Sequence, residues 1–179
     1  MKSRPLLLAI GMAGLASMSS LHAEKASNAQ KSMAVYQKAV QLEANHDAAG
    51  AKQAYQAALR LDPGNAKARY RLGQLKLRYD QVEAKGHEKK FSTIQIPEFR
   101  VEDAEFGEAI RALAQLTEKA SEEEFYPNFV IQDPSNTLAA RKVSLQMKGV
   151  PAGPIFEQLL EMARAKARFD KHAIVIMPR

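Results

Sequence analysis

The stretch from residue 93 to 116, TIQIPEFRVEDAEFGEAIRALAQL, changes its hydrophobic period partway along. Ile94 and Ile96 recur every second residue, and with the two residues before this stretch FSTIQI at 91–96 alternates and reads as a half-buried strand. Pro97 follows and predicts the end of that strand. From Phe106 onward the apolar positions recur every three or four residues. Phe106, Ala109, Ile110, Leu113 and Leu116 then share one helical face, with Glu105, Glu108, Arg111 and Lys119 mostly outside it. Asp103 is placed to cap this helix, and Glu105 in its first turn suits the helix dipole. A chain that switches from period 2 to period 3.6 in this way must pack a helix on a sheet. That constraint divides the sequence into a mixed C-terminal half and a helical N-terminal half.

The mixed half continues with an exit loop, SEEEFYP at 121–127, and a short apolar strand, NFVI at 128–131. DPSN at 133–136 has turn chemistry. KVSLQMKG at 142–149 alternates, with Val143, Leu145 and Met147 on one face. A second helix is predicted over 150–166, with Pro154 as its first helical residue after Gly153 and Ile155, Phe156, Leu159, Leu160, Met162 and Ala163 buried. ARFD and AIVIMP close the chain as two strands around a turn at Lys171 and His172. The predicted order is βαββαββ over residues 91–179, an α+β unit with its helices on one small mixed sheet.

Upstream, residues 33–80 are rich in Ala, Leu, Gln, Lys and Arg, good helix formers. ANHD at 44–47 is a turn in which Asp47 caps the next helix. LDPGNA at 61–66 is a second turn. Residues 24–32 read as a frayed polar leader, and 81–90 as a linker in which Gly86 ends a helix and HEKK is solvated.

The first residues have the parts of an export signal. MKSR is a basic start, PLLLAIGMAGLASM an apolar core, and SSLHA a small-residue end, which predicts cleavage after Ala23. The apolar run is shorter than the roughly 20 residues of a membrane span. No later stretch is apolar enough to span, so a soluble periplasmic protein is expected. Lys2 and Arg4 leave with the leader, taking the formal charge from +6 to +4. The remaining cations are spread over both halves and an exported protein rarely meets nucleic acid, so a solvated surface is the reading. With 46% hydrophobic and 26% charged residues the mature chain is globular in composition. The chain has no Cys, which excludes disulfides, thiolate metal sites and a cysteine nucleophile.

Two resemblances follow from these residues. Ala51, Tyr55, Ala58 and Pro63, then Leu72 and Gly73, with Ala39 and Leu42 upstream, fall in a pattern that resembles the tetratricopeptide repeat, whose period is 34 residues. One full repeat and one extra helix are present. Such arrays normally need three repeats for a long groove, so a small helical packing module is expected at 33–80. The succession IPEFRVEDAEFGEAIRALAQL, NFVI, VSLQMKGVPAGPIFEQLLEMA and RFDKHAIVIMP resembles the short N-terminal domain of secretins and TonB-dependent transducers, the STN domain. The resemblance implies a docking domain at the periplasmic mouth of an outer-membrane channel. With nothing after residue 179, it implies a free-standing one.

No nucleophile elbow, phosphate loop or dinucleotide fingerprint is present, so no catalytic or cofactor-binding residue is predicted. His46, His87 and His172 lack a partner at ligand spacing and read as surface residues; no metal site is predicted. Glu122, Glu123 and Glu124 in the exit loop read as solvated, the rival being a small hydrolase with these carboxylates in a cleft. The densest basic patch, RAKARFDKH, offers Arg164, Lys166, Arg168 and Lys171 to an envelope polyanion such as lipid A or anionic lipid. The competing view puts Phe169 in the core and the charges along a helix end. The leading functional expectation is a non-enzymatic interaction protein serving a secretin, pilus, secretion or TonB-type uptake system. Strand addition at a sheet edge is its expected binding mode and homo-oligomerisation remains open.

Overall fold

The computed structural model describes residues 15–179 apart from Asn136, with side chains from Glu24 onward. Residues 1–14, which hold most of the expected export signal, lie outside the described residues. Three helices come first: α1 (Leu15–Ala44), α2 (Ala48–Leu61) and α3 (Ala66–Thr93). The rest runs β1 (Gln95–Glu105), α4 (Phe106–Ala120), β2 (Phe129–Ile131), β3 (Lys142–Pro151), α5 (Ala152–Met162), β4 (Ala165–Phe169) and β5 (Ile174–Pro178). The protein is therefore α+β, with the predicted βαββαββ order in its second half. No helix among the described residues is long and apolar enough to cross a membrane.

Small side chains set the spacing of the three helices. Ala39, Ala48, Ala51, Ala58 and Ala68 are buried between them, and Tyr55, Leu72 and Leu75 fill the remaining space. Both turns are held by the chemistry their sequences offer. Asp47 accepts the Gly50 amide at 2.8 Å, and Asn65 accepts the Ala68 amide at 3.0 Å. Asn65 also reaches back, its Nδ2 donating to Ser32 Oγ at 2.8 Å, while Ser32 Oγ donates to the Ala58 carbonyl at 2.8 Å. Residues 24–32 are thus not a frayed leader. They are helical, and Ser32 is fully buried in the seam that joins all three helices.

The linker expected at 81–90 is also helical. α3 runs on for 28 residues to Thr93, and Gly86 does not end it. A Cβ at Gly86 would stand 2.6 Å from the His46 carbonyl oxygen, so glycine is what lets α3 pass the α1–α2 turn. The helix then carries Phe91 into the second core, where the ring is fully buried. Phe91 to Thr93, expected as strand, are therefore the last turn of α3.

The single mixed sheet expected from sequence is two sheets. β1 and β3 form an antiparallel ribbon, and β2, β5 and β4 form a second sheet in that order, with β2 parallel and β4 antiparallel to β5. α4 packs on β1 and reaches β2, α5 packs on β3 and β4, and the two helices touch. The division is possible because α5 buries Ala152, Gly153, Ile155, Phe156, Leu159 and Leu160, enough of its circumference to serve two sheets. Met162, expected in that face, is 44% exposed.

Pro97 and Asp103 also behave differently from their local chemistry. The Ala152 amide donates to the Ile94 carbonyl at 2.9 Å, so alternate positions 94, 96 and 98 turn their backbone groups toward β3. Position 97 turns outward to an unpaired edge, where a missing N–H breaks no ladder bond and the strand continues. Asp103 does not cap α4. It sits at a bulge between Val101 and Ala104 with φ +47°, and its amide is held by Ser144 Oγ at 2.9 Å. α4 starts without a side-chain cap because the chain itself supplies acceptors. The Phe106 amide donates to the Arg141 carbonyl (2.8 Å) and the Gly107 amide to the Ala139 carbonyl (2.9 Å).

Those two carbonyls follow a turn organised by Asp133. Its carboxylate accepts the amides of Thr137 and Leu138, each at 2.6 Å, and the amide and hydroxyl of Ser135. The Ser135 hydroxyl, and then the backbone amides, draw the Asp133 pKa down to about 2. A carboxylate whose pKa falls on folding contributes stability above its unfolded pKa, and loses it as pH drops through the folded value. An NMR pH titration of the side-chain carboxyl carbons is expected to show Asp133 still ionised at pH 3. In Asp133→Asn, amide exchange at Thr137 and Leu138 is expected to quicken. A midpoint near the ordinary aspartate value would contradict this geometry.

Candidate docking groove

β2 is one of the two outer strands of the three-stranded sheet, β4 being the other, and its pairing fixes which backbone groups are available. The Ile174 amide donates to the Asn128 carbonyl and the Gln132 amide to the Ile176 carbonyl, both at 2.8 Å. In a parallel ladder this turns positions 128, 130 and 132 toward β5, and Phe129 and Ile131 present their amides and carbonyls away from it. Asn128 anchors the start of the strand, its Nδ2 donating to the His172 carbonyl at 2.9 Å.

Beside that edge runs a groove. Gly107, Ile110, Arg111 and Ala114 form one wall, a strip at helical spacing on α4, and Tyr126 to Phe129 with Ile131 form the other. Gly107 allows the floor to be close: a Cβ there would sit 3.4 Å from that of Ala139. The groove lining is mainly apolar, with Arg111 and Asn128 as its polar members; the nearest carboxylate to Arg111 is Glu108 at 3.9 Å. Tyr126 at its lip is 66% exposed, and Val130 on the outer sheet face is 37% exposed. Unpaired strand groups next to an apolar trough are the two requirements for taking up an extended peptide.

The four cations singled out from sequence do not converge. α5 ends at Met162, and Arg164, with φ +48°, turns the chain into β4 rather than extending the helix. Lys166 and Arg168 therefore lie on a strand, not at a helix end, opposite Met177 and Val175 of β5. Arg168 is engaged by Asp170 through two bonds of 2.8 and 2.9 Å, which raise its pKa. Lys171 points to α3, 3.2 Å from Asp80 and 3.6 Å from Glu83, with its ammonium over the Tyr79 ring at 5.2 Å. The hydrogen bond to Asp80 is the main cause of its raised pKa. Lys171 thus ties the β4–β5 turn to the long helix. Phe169 packs against Phe91 and Phe156 in the core.

Glu122 and Glu123 complete the turn after α4, both in left-handed backbone, and are exposed; Glu124 lies 3.7 Å from Lys90. His87 stands edge-on to Phe125 at 6.2 Å and lines a shallow cleft with Asn128, Asp170 and His172. His46 is half-buried at the α1–α2 turn. Among the described residues no group of three or more His, Asp or Glu is arranged to hold a metal ion. Sequence reasoning did not single out the β2 groove. Its one local signal is a short apolar run between a proline-bearing loop and an Asp-Pro turn, which does not say which strand ends at an edge. Comparison of the chain with protein-family models, curated proteins and solved structures gives no match.

Proposed function

We propose that this chain is a non-enzymatic docking module of the periplasm, which takes up an extended segment of a cell-envelope partner as an added strand on β2. The observation that carries the reading is the edge at Phe129 and Ile131, which has no strand partner among the described residues, beside the α4 groove. The order of elements over residues 95–178 supports an STN-like domain. The alanine-spaced helices around Tyr55 support a short tetratricopeptide-like unit in front of it. On this reading the partner belongs to a secretin, pilus, secretion or TonB-type uptake system, and the export signal delivers the chain there. The alternative, an envelope polyanion ligand, has less support. Arg168 and Lys171 are already engaged by carboxylates, leaving Arg164 and Lys166.

The test is in-cell photo-crosslinking with the reactive residue at Tyr126, on the groove lip, and a control at Glu102, on the β1–β3 ribbon. Mass spectrometry should find a secretin, pilus or TonB-system protein captured from position 126 and not from 102. Capture of the chain itself or of lipopolysaccharide alone would overturn the docking role. Salt adds a second discriminator: phosphate-driven binding weakens steeply with ionic strength, whereas strand addition changes little.

A further inference from the structure

α3 packs on α2 through Ala68, Leu72 and Leu75, and among the described residues nothing covers its opposite side over 66–78. Ala66, Tyr70, Gly73 and Leu77 fall there at a 4-3-4 spacing, which puts them in one line along the helix. Tyr70 is 67% and Leu77 80% exposed, the two most exposed large apolar side chains among the described residues. At Gly73, between them, a Cβ would meet nothing within 4 Å. A line of apolar residues with a gap at its centre is a seam into which another helix can set its side chains, and Gly73 lets that helix come close.

The charges around the seam select the occupant. Residues 66–78 contain five Lys or Arg and no Asp or Glu. Arg71 and Arg78 turn to Glu43, at 3.8 and 3.2 Å, and Arg69 donates to the Pro63 carbonyl. Lys67 and Lys76 have no carboxylate partner among the described residues. A second copy of α3 laid on this seam would set cation against cation, which is unfavourable. We infer that the outer face of α3 is a docking seam for an acidic amphipathic helix of another protein. The helix sets its apolar line against Tyr70, Gly73 and Leu77 and its carboxylates against Lys67 and Lys76. This surface is independent of the β2 groove.

The probes are two synthetic helical peptides of about three heptads with the same leucine seam. One carries Glu and the other Lys at the positions flanking it. Each is labelled and titrated with the full chain by fluorescence anisotropy. The Glu peptide is expected to bind at least about tenfold more tightly than the Lys peptide, and Leu77→Ala or Tyr70→Ala to weaken it about tenfold, a difference of about 1.4 kcal/mol. Both side chains are largely in solvent, so circular dichroism and thermal midpoint should be unchanged in these variants. Equal binding of the two peptides, no binding of the Glu peptide, or binding indifferent to both substitutions would overturn the inference. So would sedimentation showing a dimer that Leu77→Ala dissociates, which would give the seam to a second copy.

Discussion

Replacing Phe91 by alanine is expected to cost about 3–5 kcal/mol, the range for removing a buried aromatic side chain. The ring is fully buried and meets four others: Phe125, Phe129, Phe156 and Phe169, with centroids 5.6 to 6.4 Å away. Two of the four contacts are edge-on, the arrangement that aromatic quadrupoles favour. Alanine would leave a hole beside the close α3–α5 contact, where a Cβ on Gly153 would stand 3.0–3.2 Å from Ser92. Denaturant unfolding of Phe91→Ala and Phe91→Leu checks the value, and leucine should recover more than half of the loss. Because Phe91 is the last buried residue of α3, hydrogen exchange should also quicken along residues 85–93. An alanine variant as stable as the parent would mean that the helix end is not seated in this core.

The second large effect is expected at Tyr55. Its ring is fully buried among the alanines of the first three helices, and its hydroxyl donates to Glu43 Oε2 at 2.7 Å. Glu43 is itself nearly buried and is shared with Arg71 and Arg78. Tyr55→Ala should cost about 3–5 kcal/mol through the cavity. Tyr55→Phe isolates the hydroxyl and should cost about 1–3 kcal/mol, since a carboxylate in a confined site loses a donor. Burial, and then the bond to Glu43, raise the phenol pKa well above its ordinary value. The sign follows from linkage. The folded state holds the proton more tightly, so the contribution is complete below pH 10 and is lost as the unfolded phenol ionises above it. The parent should therefore lose stability from about pH 10 upward, and Tyr55→Phe should lose less over the same range. Identical alkaline profiles would sink this account of the Tyr55–Glu43 pair.

Features set by near neighbours could be read from the sequence. Asp47 caps α2 because a carboxylate three residues before an amide needs nothing else. The α4 face and the alternation of β3 follow from single-element periodicity, and Phe106, Ile110, Leu113 and Val143 are buried as expected. The errors cluster where a distant contact overrides local chemistry. Gly86 has the appearance of a helix stop until His46 is placed against it. Phe91 begins an alternating run, yet the aromatic core draws it into helix. Pro97 is tolerated because its strand has only one neighbour, and Asp103 is used at a bulge rather than at a cap. The same reasoning applies to function. Cations could be counted in the sequence, but that Asp80 would engage Lys171 depended on the hairpin folding back on α3, and that Asp170 would take Arg168 depended on the end of β4 setting the two side chains together. The β2 edge and the bare side of α3 were not visible either, since each is defined by what fails to pack on it.

The unbroken run of α3 from Ala66 to Thr93 has a mechanical consequence. At 1.5 Å per residue it is about 42 Å of continuous backbone hydrogen bonding. One end is anchored by Leu72 and Leu75, and the other by Phe91. A flexible tether would let the β2 groove and the outer face of α3 wander relative to each other; a helix shared by both cores acts instead as a ruler. Inserting or deleting residues within 80–88 would then alter a span and a rotation together, by 1.5 Å and 100° for each residue. Phasing of that kind distinguishes a spacer from a leash.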